Sequence, residues 1–336
     1  MSETISENRT VSQLKSRDRA QGQSFLTVVL IRKVNARTAK NNNPFLMVEA
    51  GDRSGSFQFT CFNDNPVFET LKQAPEGVPV RIRGQIDYFQ NRFSPRIVEL
   101  EILEEEDLRQ EGIFDQLVAT TTEDIDVLME ELIGLIAVIG HKRLRGTVES
   151  VFGEISEDFR AAPAAISMHH AYRGGLLEHT VHMARACRSL LPLYPEVDRD
   201  LALSGVLLHD IGKTVEYEGK LVPRRSREGI LNGHVVLGYR MVRKAGMKTK
   251  LEPDLLERLE HIILSHQGEM EWGAAALAST PEAVFVSMID NLDARMGMIQ
   301  QAIRETPAGE PFSDYISGLK APVFVDPPAR SGDGDR

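Results

Sequence analysis

The hydrophobic pattern of this chain changes once along its length, and this change limits the folds that are open to it. Between Phe25 and Leu103, short runs rich in β-branched and aromatic residues are separated by Gly, Asn and Pro, and residues 56–62 alternate apolar with polar. From Glu123 onward, apolar residues recur at helical spacing in long segments. The pattern therefore predicts a multidomain α+β protein, in which a five-stranded β-barrel precedes an all-α domain.

Composition shifts divide the chain into five predicted segments. They are a flexible N-terminal arm at 1–23, the barrel at 24–105, an acidic helical linker at 106–150, the helical domain at 151–310 and a C-terminal tail at 311–336. The net charge of -10 is uneven, because residues 101–131 hold twelve acidic residues and one basic residue, whereas residues 24–103 hold ten basic and eight acidic residues. The barrel is weakly positive, so the overall acidity does not exclude contact with phosphates.

Cysteine and apolar content restrict the expected cellular setting. The only two cysteines, Cys61 and Cys187, lie far apart and form no CxxC pair, which excludes a disulfide framework and a cysteine zinc site. No stretch approaches 18 consecutive apolar residues, and residues 1–23 are polar, without the apolar core of a secretory signal. We therefore expect a cytoplasmic protein that does not associate with a membrane.

Histidine placement is the strongest indication of chemistry. All nine histidines lie in the helical part of the chain, where an apolar helix ends in His209-Asp210 and Gly212 then allows a turn. His179 lies on an earlier predicted helix and Asp290 on a later one. Two His and two Asp make a hard N/O ligand shell that suits Mn, Fe, Mg or Co. A lone His on an apolar helix is usually a core residue, but the order H…HD…D on successive helices is much more specific.

Two further histidines, His234 and His266, form a second candidate set. Two cations about 3.5–4 Å apart, bridged by a carboxylate such as Asp210, can activate water and hold a phosphoryl group together. The alternative for His234 is a helix cap. The sequence leaves open whether three more histidines contribute, namely His169, His170 and His261.

The sequence HDIGK at residues 209–213, with the order of the other residues, resembles the HD phosphohydrolase superfamily. The resemblance implies an all-helical fold with metal held in the bundle. It also implies the metal ligands His179, His209, Asp210 and Asp290. Lys213 matches a lysine that often follows the HD pair, which implies contact with a phosphate oxygen, and the alternative is a solvated lysine after the helix. Asp210 and Lys213 are therefore the candidate catalytic residues.

A closer resemblance covers residues 24–305. The sequences MHHAYRGGLLEHT at 168–180, IILSHQG at 262–268 and IDNLDA at 289–294 resemble the YhaM-like 3′→5′ exoribonucleases. The resemblance implies an OB-fold nucleic-acid-binding barrel followed by an HD domain, with single-stranded RNA as the substrate. The chain departs from that pattern at Gln267, where we expect a second histidine.

OB-folds bind single strands by stacking bases on aromatic side chains beside a positive groove. Tyr88 and Phe93 flank a turn and are the aromatic residues that we most expect to be exposed. The candidate phosphate contacts on the barrel are Arg81, Arg83, Arg92 and Arg96. Arg173, in the RGG sequence before the His179 helix, is a further candidate, and the alternative there is a turn that opens the helix. A barrel that binds protein instead stays an alternative, because the chain is acidic overall.

Together these features predict a metal-dependent 3′→5′ exoribonuclease that degrades single-stranded RNA to nucleoside monophosphates, with single-stranded DNA as an open second substrate. The expected cofactor is one or two divalent ions, Mn²⁺ first, with Co²⁺, Fe²⁺ or Mg²⁺ as alternatives. A second interpretation is an HD phosphohydrolase that acts on a nucleotide or other small phosphoester, and a third is a non-catalytic RNA-binding protein. No GYP sequence follows His266, which disfavours a cyclic-dinucleotide phosphodiesterase. The oligomeric state stays open, a homo-oligomer included.

Overall fold

The computed structural model of the chain describes residues 8–16, 20–39, 42–89, 92–110, 113–118, 120–121, 123–165, 172–219, 221, 223–306 and 310–325. It divides into two compact units. The first comprises Met1–Thr120 with Gly219–Pro223, and the second comprises Thr121–Glu218 with Arg224–Arg336. Most of the predicted C-terminal tail, residues 326–336, lies outside the described residues.

The first unit is built on a five-stranded antiparallel sheet, which confirms the predicted strand count. Its strands are β1 (Ser24–Thr38), β2 (Pro44–Asp52), β3 (Gly55–Phe62), β4 (Pro79–Gln85) and β7 (Arg96–Ile102). A short hairpin of β5 (Tyr88–Phe89) and β6 (Arg92–Phe93) lies between the last two in sequence. Apolar residues alternate with polar ones, so that Phe57 and Phe59 are buried while Gln58 is exposed, and this alternation gives the sheet one apolar face.

The long strand β1 organises the sheet, whose order is β3-β2-β1-β4-β7. Its first half pairs with β4 and its second half with β2, and the register shifts between Ile31 and Lys33, where a bulge bends the strand. No ladder joins the edge strands β3 and β7 within the described residues, so a fully closed barrel is not observed. The OB-fold is itself a partly open five-stranded barrel, and the sheet is barrel-like in this sense.

Four short helices complete the first unit. They are α1 (Val11–Leu14), α2 (Phe68–Gln73), α3 (Glu105–Gln110) and α4 (Phe114–Leu117). Val11 and Leu14 are fully buried in the core of the sheet, and the Val11 N–H donates to Asp52 Oδ2 at 2.8 Å. This part of the predicted arm is therefore packed structure.

The second unit is helical, as predicted. Its helices are α5 (Ile125–Ala137), α6 (Lys142–Ala161), α7 (Gly175–Leu190), α8 (Arg199–Leu208), α9 (Lys213–Glu216), α10 (Arg227–Thr249), α11 (Pro253–Ser265) and α12 (Pro281–Glu305). Two 3₁₀ turns, Leu191–Leu193 and Met270–Trp272, and a hairpin of β8 (Tyr217–Glu218) and β9 (Arg224–Arg225) lie between them. None of the helices that the structure describes is long and apolar enough to cross a membrane.

Several of these helices begin after a residue whose side chain accepts hydrogen bonds from the first backbone N–H groups. Asp124, Asp198 and Thr280 cap α5, α8 and α12 in this way. The apolar faces then meet in one core, to which α5 and α6 contribute Leu128 and Val148. The described residues of 121–150, a segment predicted as part of an acidic linker, thus pack into the helical unit. Glu130 and Glu149 stay exposed, whereas Glu123 and Glu131 are half-buried and accept hydrogen bonds from Arg185.

Candidate metal centre

Six predicted site residues lie together inside the helical unit, although they are far apart in sequence. They are His179 on α7, His209 and Asp210 directly after α8, His234 on α10, His266 directly after α11 and Asp290 on α12. Four of them are buried, while His234 and Asp290 are half-buried. Because His209 and His266 stand at helix ends, their side chains turn inward where the helical path stops.

Gly212 lies in the turn that follows α8, as the sequence predicts, but the turn is not what requires a glycine there. Its φ is -62°, an ordinary helical value that any residue adopts. A Cβ at this position would lie 2.0 Å from the carbonyl oxygen of His234 and 2.6 Å from the Gly238 nitrogen. Gly212 is therefore required because the backbone after the HD pair runs directly against α10. A second glycine, Gly233, has a φ of 68° and breaks α10 immediately before His234.

The first set of ligand atoms comes from α7, the end of α8, and α12. His179 Nε2 lies 3.2 Å from His209 Nε2 and 3.3 Å from Asp290 Oδ1. Asp210 Oδ2 lies 3.3 Å from His209 Nε2 and 3.8 Å from His179 Nε2. Four nitrogen and oxygen atoms therefore surround one small volume.

The second set uses the other oxygen of the same carboxylate. Asp210 Oδ1 lies 3.5 Å from His234 Nε2 and 3.4 Å from His266 Nε2. Each oxygen of Asp210 thus faces a different pair of histidines. A carboxylate shared by two cations is arranged in this way.

All four histidines are held through Nδ1, which leaves Nε2 directed at the centre. The Nδ1–H groups of His209 and His266 donate to the carbonyl oxygens of Val206 and Ile263, each at 2.7 Å. A carbonyl oxygen can only accept, so Nδ1 carries the proton in both rings. In the other two rings Nδ1 faces a carboxylate, at 2.7 Å for His179 with Asp293 and 2.8 Å for His234 with Glu216. Such outer contacts orient metal-binding histidines and fix their tautomer.

The carboxylates and cations of the site hold one another in charged form. Burial raises the pKa of Asp210, but the nearby charges of Lys213 and His209 lower it well below its usual range. Burial lowers the pKa of Lys213, and Asp210 at 2.5 Å from its Nζ raises it by more. Burial also lowers the pKa of His179, but Asp290 and Asp293 outweigh this effect and raise that pKa to about 10. Lys213 is 7% exposed, so it is not a solvated lysine.

This donor set fits a divalent cation. Asp210 Oδ1 is buried without a hydrogen-bond partner, and an orphaned buried acceptor is unfavourable. Two Nε2 lone pairs that face each other at 3.2 Å, as in His179 and His209, repel unless a proton or a cation lies between them. Imidazole nitrogens and carboxylate oxygens together are ligands that suit the harder divalent transition metals.

A third polar group lies behind the first set and was not anticipated from the sequence. Glu123, Glu178 and His182 place ligand atoms close together, and His182 Nε2 lies 2.5 Å from Glu123 Oε1. Each carboxylate has a protein partner, since Arg185 donates to Glu123 and the Tyr172 hydroxyl donates to Glu178. The sequence did contain a signal for this group. His182 follows the predicted ligand His179 by three residues, and Asp293 follows Asp290 by three, so each lies about one helical turn from a ligand and on the same helix face.

The predicted nucleic-acid-binding residues of the sheet that the structure describes do not form a cluster like that of the metal-ligand candidates, and they differ in exposure. Tyr88 is 38% exposed, whereas Phe93 packs partly against the core. Phe89, which the sequence analysis did not select, is 68% exposed. Arg81 Nη1 lies 2.6 Å from Glu101 and Arg83 Nη1 lies 3.6 Å from Glu99, so both guanidinium groups form ion pairs on the sheet.

The remaining predicted residues fall outside the centre or outside the described residues. His261 accepts a hydrogen bond from the Ser279 N–H and is not among the clustered ligand atoms. Arg173 is half-buried directly before α7, and its carbonyl accepts from the Thr121 N–H. His169, His170 and the side chain of Arg92 lie outside what the structure describes.

Comparison with known proteins agrees with this geometry. Residues 176–295 match the HD domain family, a span that contains all six clustered residues. The 3′-5′ exoribonuclease YhaM of Geobacillus sp. (strain WCH70) is 29% identical over 306 residues, which covers 91% of this chain and 93% of that protein. The chain is a YhaM homologue with an HD domain. The predicted resemblance is therefore confirmed along nearly the whole chain.

The comparisons assign the helical unit to hydrolases of the HD type and support divalent-metal binding by its clustered His and Asp residues. A solved replication protein A heterotrimer bound to ssDNA also matches, over 30% of this chain and 84% of that chain, at 18% identity. Its TM-score is 0.23, so this likeness bears on neither the fold nor the function.

Proposed function

We propose that this YhaM homologue is a cytoplasmic 3′→5′ exoribonuclease that uses Mn²⁺ to remove nucleoside monophosphates from single-stranded RNA. One observation carries the proposal: Asp210 directs its two oxygens at two separate histidine pairs, and its Oδ1 is buried without a partner. Such a carboxylate is suited to holding two cations beside one phosphodiester. The polarity and the RNA substrate come from the named activity of the relative.

The candidate ligands would together hold two cations. His179, His209 and Asp290 would hold the first cation, His234 and His266 the second, and Asp210 would bridge them. Divalent cations in such a site lower the pKa of a bound water and offset the negative charge of a phosphate.

Lys213 supplies a second positive charge at the edge of the site. Its pKa is raised, so the ammonium stays protonated and can donate to a phosphoryl oxygen. It reaches that position from the first turn of α9, three residues after Asp210. Its ion pair with Asp210 holds it there before substrate arrives.

The sheet unit would bind the strand upstream of the reacting end. Exposed Tyr88 and Phe89 offer stacking surfaces for bases, and the arginines of β4 can exchange their surface carboxylates for phosphates at little cost. The cellular location rests on the two cysteines, which are both buried and free.

The test begins with metal-depleted protein and a 5′-labelled single-stranded RNA. Adding Mn²⁺ should produce a ladder that shortens from the 3′ end, with nucleoside monophosphates as the released product. Hydrolysis of a small phosphodiester without any shortening of RNA would favour the general HD phosphohydrolase. RNA binding without hydrolysis, under every divalent metal, would favour a non-catalytic RNA-binding protein. A matched DNA oligonucleotide measures the preference between the two nucleic acids.

A further inference from the structure

The side-chain amide of Gln267 meets both histidines of the second set. Its Nε2 lies 3.1 Å from His234 Nε2 and 3.1 Å from His266 Nε2. Both contacts are made by one amide nitrogen, which has two N–H groups to donate. The His266 ring carries its proton on Nδ1, so its Nε2 must accept, and Glu216 holds the His234 ring with its Nδ1 outward in the same way.

These distances are those expected between neighbouring ligands of one cation. Two ligands at right angles, each ~2.1 Å from a six-coordinate ion, lie ~3.0 Å apart. The end of the Gln267 side chain is 3.1 Å from each histidine nitrogen, and those nitrogens are 3.5 and 3.4 Å from Asp210 Oδ1. The terminal atom of Gln267 therefore stands at a fourth ligand position of the second set.

A terminal amide can fill that position in either of two ways. With the nitrogen inward, it donates to the two histidine lone pairs, which is the arrangement in this structure. Rotating the amide by half a turn exchanges the nitrogen for Oε1, because the two ends have nearly the same shape. An amide oxygen is a hard ligand that suits Mn²⁺ or Mg²⁺.

We propose that Gln267 is a ligand of the second cation through Oε1, and that its amide holds His234 and His266 in place when that cation is absent. This proposal rests on the proposed metal centre and deepens it. The second position then has two histidines, one carboxylate oxygen and one neutral oxygen. It should bind a cation more weakly than the first position, which adds the carboxylate of Asp290 to two histidines and Asp210.

The test is a calorimetric titration of metal-depleted protein with Mn²⁺, which measures binding and not turnover. The wild-type chain should bind two ions with different Kd values. Gln267→Ala should weaken the second by about tenfold or more, as lost contacts around a metal do, and leave the first within about twofold. Gln267→Glu, which adds a charge to the same oxygen, should tighten the second. Asn232→Ala is the matched control, since that amide is exposed and donates a hydrogen bond to the Glu228 carbonyl oxygen.

The outcomes separate this proposal from the metal centre as a whole. An unchanged first Kd and melting temperature show that each variant is folded. A second Kd that is unchanged or tighter in Gln267→Ala, or that is not tightened by Gln267→Glu, overturns the ligand role of Gln267. Binding of only one ion to the wild-type chain overturns it as well. Absence of any Mn²⁺ binding would instead refute the metal centre.

Discussion

The two units of the chain present their polar side chains in contrasting ways. In the helical unit, ligand atoms of His179, His209 and Asp210 lie in the core and face one another at 3.2–3.8 Å. In the sheet unit, Arg81 and Arg83 lie at the surface and already pair with carboxylates of a neighbouring strand. The first arrangement is incomplete without a ligand, whereas the second is satisfied as it stands.

This difference has a physical basis. A buried carboxylate oxygen without a hydrogen-bond partner is unfavourable, and a cation held between the ligand atoms would offset this cost in the helical unit. Surface ion pairs contribute about 0–1 kcal/mol, so the sheet can exchange carboxylates for phosphates without a strong preference. Substitutions at the candidate ligands should therefore have larger effects than substitutions on the surface of the sheet.

The largest effect is expected at Asp210, where the two sets of ligand atoms meet. Asp210→Asn should lower the rate of RNA hydrolysis about a thousandfold or more, because each 1.36 kcal/mol of lost stabilisation is tenfold and a bound metal supplies several. Asn keeps an oxygen for Lys213, whereas Asp210→Ala would leave a buried ammonium unpaired, at a cost of about 3–5 kcal/mol in stability. The measurement is the initial rate at saturating Mn²⁺, with exposed Asp158→Asn as the control. A folded Asp210→Asn protein within tenfold of the wild-type rate would contradict the mechanism.

A smaller effect is expected from Asp293, which faces Nδ1 of the candidate ligand His179 and also lies 3.7 Å from His182. Asp293→Ala removes the acceptor that orients the ring, so affinity for the first cation should fall about 10–100-fold. The readout is the first Mn²⁺ Kd by calorimetry, together with hydrolysis at increasing Mn²⁺. Excess metal should restore much of the lost rate. Arg295→Ala, exposed on the same helix, should leave this Kd unchanged, and an equal loss in both variants would argue against a positioning role.

Substituting alanine for two glycines tests how closely the backbone is packed at the site and away from it. Gly212→Ala should lower the free energy of unfolding by about 1–3 kcal/mol, because its Cβ would overlap the backbone of α10 at His234. Gly153→Ala on α6 has no neighbour within 4 Å and should instead raise it by about 1 kcal/mol. Urea denaturation measures both. If Gly212→Ala is as stable as the wild type and binds two cations, the close approach does not matter for the site.

The smallest effect is expected in the sheet. Tyr88→Ala should raise KM for a long RNA about fivefold with little change in kcat, because one stacking contact contributes about 1 kcal/mol or more. Buried Phe57→Ala should instead cost about 3–5 kcal/mol of stability. The two variants are compared on long RNA and on a dinucleotide. A KM increase for Tyr88→Ala that is equal on both substrates would mean that the sheet does not bind the upstream strand.

The grouping of the candidate ligands in one place could be predicted from the sequence, because the order H…HD…D on successive helices resembles that of a known superfamily. His179 and Asp290 lie on helices of the apolar core and the HD pair directly follows another such helix, and a polar side chain needs a reason to be buried there. What could not be predicted depends on contacts between segments distant in sequence. The approach of Gly212 to α10 and the contact of Gln267 with His234 are of this kind. The open edge between β3 and β7 depends likewise on how far the sheet curls.

The sheet candidates were harder to select because surface residues are weakly constrained. Strand alternation indicates that about half of the aromatic residues in the strands are buried, and the structure buries Phe57 and Phe59. It does not distinguish Phe89 from Phe93, because each lies in a strand of only two residues. Phe89 is exposed, whereas Phe93 packs partly against the core. Arginine content likewise gave no sign of the cross-strand carboxylates that pair with Arg81 and Arg83.

The most direct measurement of the central claim uses two RNA oligonucleotides of equal length and composition. One has a stable stem at its 3′ end and a single-stranded 5′ overhang, and the other has the reverse arrangement. With Mn²⁺, the wild-type protein should shorten only the oligonucleotide with a free 3′ end, stop a few nucleotides before the stem and release nucleoside monophosphates, while Asp210→Asn should do neither. Rapid shortening from the 5′ end, cuts inside the overhang, or equal activity in Asp210→Asn would contradict a 3′→5′ exonuclease centred on this carboxylate.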